Sequence, residues 1–169
     1  MNISKKKILW GILLLATVLR LWGLERGDPI NDEVLMSFRA IGLVDFDEAE
    51  FQTTPIEWFD PLAKLSPKIP TEYQIATGIP WWVRISSHDQ PPLVYLTQHF
   101  FMKVFGEHPW AFRLPSALLG VASVYLVYLI GRRGKQESAG LSATLLYAVT
   151  LNAVYISRTG MQEPYVIFF

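Results

Sequence analysis

The chain has 169 residues, of which 51% are hydrophobic, and it carries six tryptophans, no cysteine and no net formal charge. A disulfide-stapled fold is therefore excluded, and no nucleic-acid partner is expected. The apolar residues are concentrated in blocks instead of alternating with polar ones. The runs 8–24, 114–130 and 139–156 each approach the roughly 17 to 25 residues of a bilayer-spanning helix, and a fourth run starts at 164–169. We therefore predict an all-α integral membrane protein, with residues 1–169 as the N-terminal part of one transmembrane domain.

Basic residues flank the predicted spans on one side. Lys5 to Lys7 precede the first span, and Arg132 and Arg133 follow the second. The positive-inside rule places both groups in the cytoplasm, and the acidic segment of about 25–110 outside, in a multi-pass protein of the cell membrane. A cleaved signal sequence over 1–24 is the alternative, but "LWGLER" is a poor cleavage site. Arg20 is near enough to the outer end of its span to extend its charge toward water.

The outer segment contains two predicted helices. Residues 31–44 read as a short helix that Asn31 can cap, with Asp32 and Glu33 at the positive end of its dipole. Residues 93–105 are too short to span a bilayer, and polar side chains interrupt them, so we expect a helix lying along the outer interface.

The third predicted span returns the chain to the outer face. "SRTGMQEP", residues 157–164, should therefore emerge on the same side as Asp32 and Glu33. Charged residues at span ends are costly beside hydrocarbon and need a partner or a function. Arg158 and Glu163 thus join the two acids as a candidate site on one side of the membrane.

Four motifs in order carry a family resemblance: "DE", "HDQPPLVYLTQHFFMKVFGE", "RLPSALLGVASVYLVYLIGRR" and "SRTGMQEPYVIFF". Together they resemble the N-terminal part of GT-C membrane glycosyltransferases. The nearest groups are the protein O-mannosyltransferases, the aminoarabinose transferases that modify lipid A, and dolichyl-phosphate-mannose-type transferases. The resemblance implies a GT-C multi-span helical bundle with interfacial helices in its long first outer loop.

The resemblance also implies a reaction. Such an enzyme moves a sugar from a polyprenyl-phosphate carrier to a hydroxyl of an acceptor lipid, glycan or protein outside the cytoplasm, with inversion at the anomeric carbon. In the family an acid of the first outer loop is the general base, which corresponds here to Asp32, with Glu33 beside it. Glu163 corresponds to a second acid that is more often Asp in relatives, and a divalent metal ion is a candidate cofactor. Gln90 corresponds to a residue that is often basic in relatives and contacts the donor phosphate. Because Gln90 carries no charge, His88, Arg113 or Arg158 would have to supply the positive charge at the substrate.

Simpler interpretations of these residues stay open. Asp32 and Glu33 could be only a helix start, Arg158 and Glu163 only an interfacial ion pair, and Arg113 only an anchor at the membrane surface. The protein could instead be a transporter or an assembly subunit whose outer loop binds a partner. Spans two and three have apolar middles without interruption, which favours surface chemistry over a transport site near the midplane. Because the chain stops within an apolar run, we expect it to be an incomplete, inactive fragment of a longer enzyme.

Overall fold

The computed structural model describes residues 3–29, 31–41, 43–44, 74–75, 92–133 and 137–169. The described part is helical, as predicted, apart from one antiparallel pair of two-residue strands in which Leu43 lies opposite Ile75. The elements in chain order are α1 (Ile3–Leu21), α2 (Asn31–Ile41), β1 (Leu43–Val44), β2 (Gln74–Ile75), α3 (Pro92–Phe105), α4 (Pro109–Gly131), α5 (Glu137–Val149), α6 (Leu151–Arg158) and α7 (Glu163–Phe168).

Helix α1 lies earlier in the chain than the run 8–24 that predicted it. It begins at Ile3, so it includes the three lysines, and it ends at Leu21. Gly23 follows with a φ of 65°, a left-handed conformation that commonly ends a helix and that glycine adopts without strain. Because α1 carries four charged residues among nineteen, it is less apolar than a typical span.

Helix α4 is the centre of the bundle. It packs against α1, α3, α5, α6 and α7. Among the described residues it is the one single helix that is both long enough and apolar enough to cross a bilayer. It begins at Pro109, five residues before the predicted span, because a proline fits the first turn, where its missing N–H is not needed. This earlier start brings Arg113 inside the helix.

The apolar run 139–156 forms two helices, in contrast to the uninterrupted span that we predicted. Helices α5 and α6 are bent by 57° at Thr150, and only together are they long enough to cross a bilayer. The Arg20 guanidinium lies beside this break and donates to the carbonyls of Ala148 at 3.0 Å and Tyr147 at 3.4 Å. Arg20 is fully buried, so its charge does not reach water as we expected. It compensates carbonyls that the bend has removed from the helical ladder.

Two groups of buried apolar side chains form the interior. One joins α2, α3, α4 and α7 and comprises Met36, Ala40, Val94, Tyr95, Met102, Ala111, Phe112 and Tyr165. The other joins α1, α4 and α5 and comprises Leu9, Ile12, Ala16, Val124, Tyr128, Leu141 and Ala148. The first group includes residues of α2, α4 and α7, the helices that carry Glu33, Arg113 and Glu163, and therefore positions these side chains.

Candidate functional site

A buried ion pair connects α2 to α4. The Arg113 guanidinium donates through Nε to Glu33 Oε1 at 2.6 Å and through Nη2 to Glu33 Oε2 at 2.9 Å. The two side chains are 6% and 2% exposed. Two parallel hydrogen bonds between a guanidinium and a carboxylate fix orientation as well as distance. The first turn of α2 therefore has one defined rotation relative to α4.

The remaining donors of Arg113 reach the turn after α1. Nη1 donates to the Leu24 carbonyl at 2.8 Å, and the carbonyls of Arg26 and Gly27 lie at 3.4 to 3.5 Å. A buried charge is tolerated when it is both paired and hydrogen-bonded, and Arg113 satisfies both conditions. One side chain of α4 thus holds the turn 24–27 and the start of α2 together.

Gly160, in the segment between α6 and α7, is held from two sides. Its N–H donates to Glu33 Oε1 at 2.8 Å, and its carbonyl accepts from Gln98 Nε2 at 2.7 Å. A Cβ at this position would overlap the ring of Phe112. The structure therefore brings the "DE" and "SRTG" segments into contact, and the contact needs a glycine.

Gln98 was not among the residues that we singled out as functional from the sequence. It lies on α3 with its side chain fully buried, and its Oε1 has no partner among the described residues. The signal was its spacing from Val94 and Met102, which are also buried and lie four residues away on either side. A polar residue within such a buried stripe indicates an internal hydrogen bond more often than an exposed face.

The two adjacent acids have different environments. Asp32 is exposed, whereas Glu33 is buried. Consecutive residues of a helix point roughly 100° apart, so when Glu33 faces Arg113 the side chain of Asp32 must leave that direction. Within the described part of the chain, no hydrogen bond to the Asp32 carboxylate is present.

Arg158 lies against the end of α1. Its Nη1 donates to the carbonyls of Leu19 at 2.9 Å and Trp22 at 2.7 Å, and its Nη2 donates to that of Gly23 at 3.0 Å. A cation at the C-terminus of a helix satisfies carbonyls that lack intrahelical donors and complements the dipole. Between the described residues Arg158 and Glu163 there is no ion pair.

Glu163 opens the short helix α7. Its Oε2 is buried and has no hydrogen-bond partner among the described residues. A buried carboxylate oxygen without a hydrogen-bond donor is uncommon, and a donor group of a ligand would satisfy it. Two other predicted substrate contacts, His88 and Gln90, lie outside the described residues.

A cavity of about 210 Å³ lies next to the Glu33–Arg113 pair. Its other lining residues come from the turn before α2, from α2 itself, and from the α3–α4 junction: Pro29, Ser37, Ile41, Met102, Glu107, His108, Pro109 and Phe112. Asp32 does not line it. The described residues contain no group of three or more His, Cys, Asp or Glu that could hold a metal ion.

Comparison with known proteins finds a similarity in residues 89–169. Residues 89–169 match the family model described as dolichyl-phosphate-mannose-protein mannosyltransferase, a glycosyltransferase family, so the predicted resemblance is confirmed there. Two proteins of Bacillus subtilis strain 168, both named provisionally as mannosyltransferases, are similar. YkcB is 37% identical over 81 residues, which is 48% of this chain and 11% of that protein. YycA is 38% identical over 80 residues, which is 47% of this chain and 12% of that protein.

The chain therefore covers only about a tenth of the length of these relatives. No solved structure matches it. The matched residues include Arg113, Gly160 and Glu163 but not Asp32 or Glu33. The pair of acids is joined to the matched part through the hydrogen bonds of Glu33 to Arg113 and Gly160.

Proposed function

We propose that this chain is part of a GT-C mannosyltransferase that acts on the extracytoplasmic face of the membrane. It transfers mannose from a polyprenyl-phosphate carrier to the hydroxyl group of an acceptor lipid, glycan or protein. The match of residues 89–169 to the mannosyltransferase family and the membrane-type helices α4 and α5–α6 support this proposal.

One observation carries the proposal to individual residues. Glu33 is fixed by Arg113 and by Gly160, both of which lie in the part that matches the family. The first turn of α2 is therefore rigidly attached to that part, although α2 itself lies outside the match. Its exposed acid, Asp32, is held in a constant position while its carboxylate stays open to a substrate. This is the arrangement that a general base requires.

The proposed step is an inverting displacement. The Asp32 carboxylate accepts the proton of the acceptor hydroxyl as that oxygen forms a bond to the anomeric carbon of mannose. The bond between the anomeric carbon and the phosphate oxygen breaks, and its electron pair leaves with the polyprenyl phosphate. Proton transfer to a positioned side chain contributes about 10² to 10⁴ in rate.

The other candidate residues have distinct proposed roles. Glu33 and Arg113 position α2, because the donors of Arg113 are directed to Glu33 and to main-chain carbonyls. Arg158 lies at the end of α1 and adds positive charge toward the donor phosphate. Glu163 has a carboxylate oxygen that no described donor contacts, and this oxygen would accept a hydrogen bond from a hydroxyl group of the acceptor substrate. His88 and Gln90 stay proposals for the donor side, and a divalent metal ion stays a candidate cofactor.

The test is transfer of radiolabelled mannose from polyprenyl-phosphate mannose to the acceptor fraction of membranes that contain the intact enzyme of which this chain is a part. Asp32→Asn keeps the shape of the side chain and should lower transfer at least about a hundredfold. The matched control is Asp28→Asn, which removes another exposed acid four residues earlier and should leave transfer unchanged. Normal transfer by Asp32→Asn would refute the role of Asp32, and no transfer by the unsubstituted enzyme would refute the proposed function.

The break between α5 and α6 gives some support to the transporter alternative. Discontinuous helices near the bilayer midplane form the binding sites of many transporters. Here, however, α5 has thirteen residues and α6 has eight, so the break lies nearer one end. The buried Arg20 beside it is hydrogen-bonded to main-chain carbonyls. Uptake of a labelled solute by vesicles containing the protein, without mannose transfer, would favour the transporter.

A further inference from the structure

Three helix ends meet at the end of the bundle opposite the candidate site. Lys5, in the first turn of α1, donates to Glu137 Oε2 at the start of α5, at 2.9 Å. Gly131, the last residue of α4, is so close to α5 that a Cβ on it would lie 2.7 Å from the Cα of Gly140. The start of α1, the end of α4 and the start of α5 therefore form one surface, which we call the basic end.

The basic end carries uncompensated positive charge. Lys6, Lys7, Arg132 and Arg133 are all exposed, and none of them forms an ion pair with another described residue. Glu137, the acid at the start of α5, is already paired with Lys5. The Arg132 guanidinium lies 5.9 Å from the centre of the Tyr128 ring, which holds it at the end of α4. The surface therefore presents several cationic donors to an anion.

An exposed apolar stripe continues from the two lysines along α1. Trp10 is 62% exposed and lies three residues after Lys7 and four after Lys6, on the same helical face. Leu14 and Val18 follow at four-residue intervals and are 67% and 47% exposed. A phospholipid has a phosphate at one end and acyl chains beyond it. A surface with positive charge at one end of an apolar stripe is complementary to that arrangement.

We propose that the basic end and this stripe of α1 bind an anionic phospholipid. Lys6 and Lys7 contact the phosphate, and the planar fork of Arg132 can donate to two of its oxygens. The indole of Trp10 lies at the headgroup level, as is usual for tryptophan, and an acyl chain follows Leu14 and Val18. The uncompensated charge selects an anionic over a zwitterionic headgroup. This proposal does not depend on mannose transfer.

The test is native mass spectrometry of the full chain, released from bilayers that contain equal amounts of dioleoyl phosphatidylglycerol and dioleoyl phosphatidylcholine. We expect phosphatidylglycerol to be retained preferentially. Because each basic residue near an anionic membrane surface contributes to binding, Lys6→Gln with Lys7→Gln should weaken retention about thirtyfold. The control, Arg26→Gln with Lys103→Gln, removes the same charge from exposed residues elsewhere and should not change it. Circular dichroism should show equal helix content in all three proteins.

Four results would overturn the proposal. The first is equal retention of the two lipids by the unsubstituted protein. The second is an equal loss of phosphatidylglycerol in the control variant, since a nonspecific charge effect would explain it. The third is a lipid-free dimer, which would show that a second copy of the chain covers the stripe. Displacement of the lipid by millimolar inorganic phosphate would likewise refute binding through the whole phospholipid.

Discussion

The two ends of the bundle each contain an ion pair, and the pairs differ in burial far more than in length. Glu33 and Arg113 approach to 2.6 Å with side chains 2% and 6% exposed. Lys5 and Glu137 approach to 2.9 Å with side chains 41% and 28% exposed. Removing one partner of a buried pair leaves a charge without water or a counter-ion, whereas an exposed charge returns to solvent. The comparison shows that the surroundings of a pair decide its importance.

The two ion pairs also differ in the segments that they connect. Glu33 and Arg113 together hold Gly160 and the turn after α1, so four separate segments depend on them. The Lys5–Glu137 pair connects two helices that already pack against each other. The close contact of Gly131 with Gly140 also fixes the start of α5 against α4, so at that end the ion pair is secondary.

The strongest test of this comparison is Glu33→Gln. It leaves Arg113 buried and positively charged, so we expect a loss of about 3 to 5 kcal/mol in the free energy of unfolding. Denaturant titration in detergent, followed by circular dichroism, would measure it. The control is Asp32→Asn, an exposed neighbour that should change stability by less than about 0.5 kcal/mol. Equal effects of the two substitutions would contradict the assignment of Glu33 as the buried partner.

Gly160→Ala should have the next largest effect. The added methyl group would overlap the Phe112 ring and push Gly160 away from Glu33 and Gln98. Overpacking of this kind costs about 1 to 3 kcal/mol, measurable in the same titration. Gly11→Ala is the control, because no atom lies within 4 Å of its added Cβ and alanine favours a helix. In a Phe112→Ala background Gly160→Ala should cost less, because the ring that it overlaps is absent, and an equal cost in both backgrounds would exclude this steric cause.

The smallest effect is expected for Lys5→Gln. The pair that it breaks is exposed, so stability should change little at low ionic strength and not at all at high salt. Melting temperature at two salt concentrations would measure the change. A salt-independent loss as large as that of Gly160→Ala would mean that the Lys5–Glu137 pair organises the helix ends, in contradiction to the comparison.

Local patterns predicted the starts of the short helices, but the helix predicted over 31–44 ends at Ile41, and Leu43–Val44 is a strand that pairs with a distant segment. The start of α2 at Asn31 and the helix over 93–105, observed as Pro92–Phe105, follow from capping residues, prolines and apolar spacing. The adjacency of Asp32 and Glu33 also predicted that they could not face one direction. It did not identify which of them is buried, because the partner, Arg113, is 80 residues away in the sequence.

The partners of the other arginines were beyond the reach of local patterns for the same reason. Arg158 contacts the carbonyl of Leu19, which is 139 residues earlier in the chain. No proline or glycine at Thr150 indicates the bend in the sequence, and an apolar run of suitable length predicts one continuous span. The structure shows what stabilises the bend, because Arg20 donates to the carbonyls before the break.

The same contact of Arg20 has a consequence for the order in which the helices enter the membrane during synthesis. Helix α1 leaves the ribosome long before residues 147 and 148 exist, because the Ala148 carbonyl that Arg20 binds lies 128 residues later. Until then the guanidinium lacks these acceptors, and at the end of α1 it has to keep its charge in contact with water. We therefore expect α1 to stay in contact with water or with the insertion machinery until α5 and α6 arrive. Helix α1 would then reach its final position in the bilayer only together with α5 and α6.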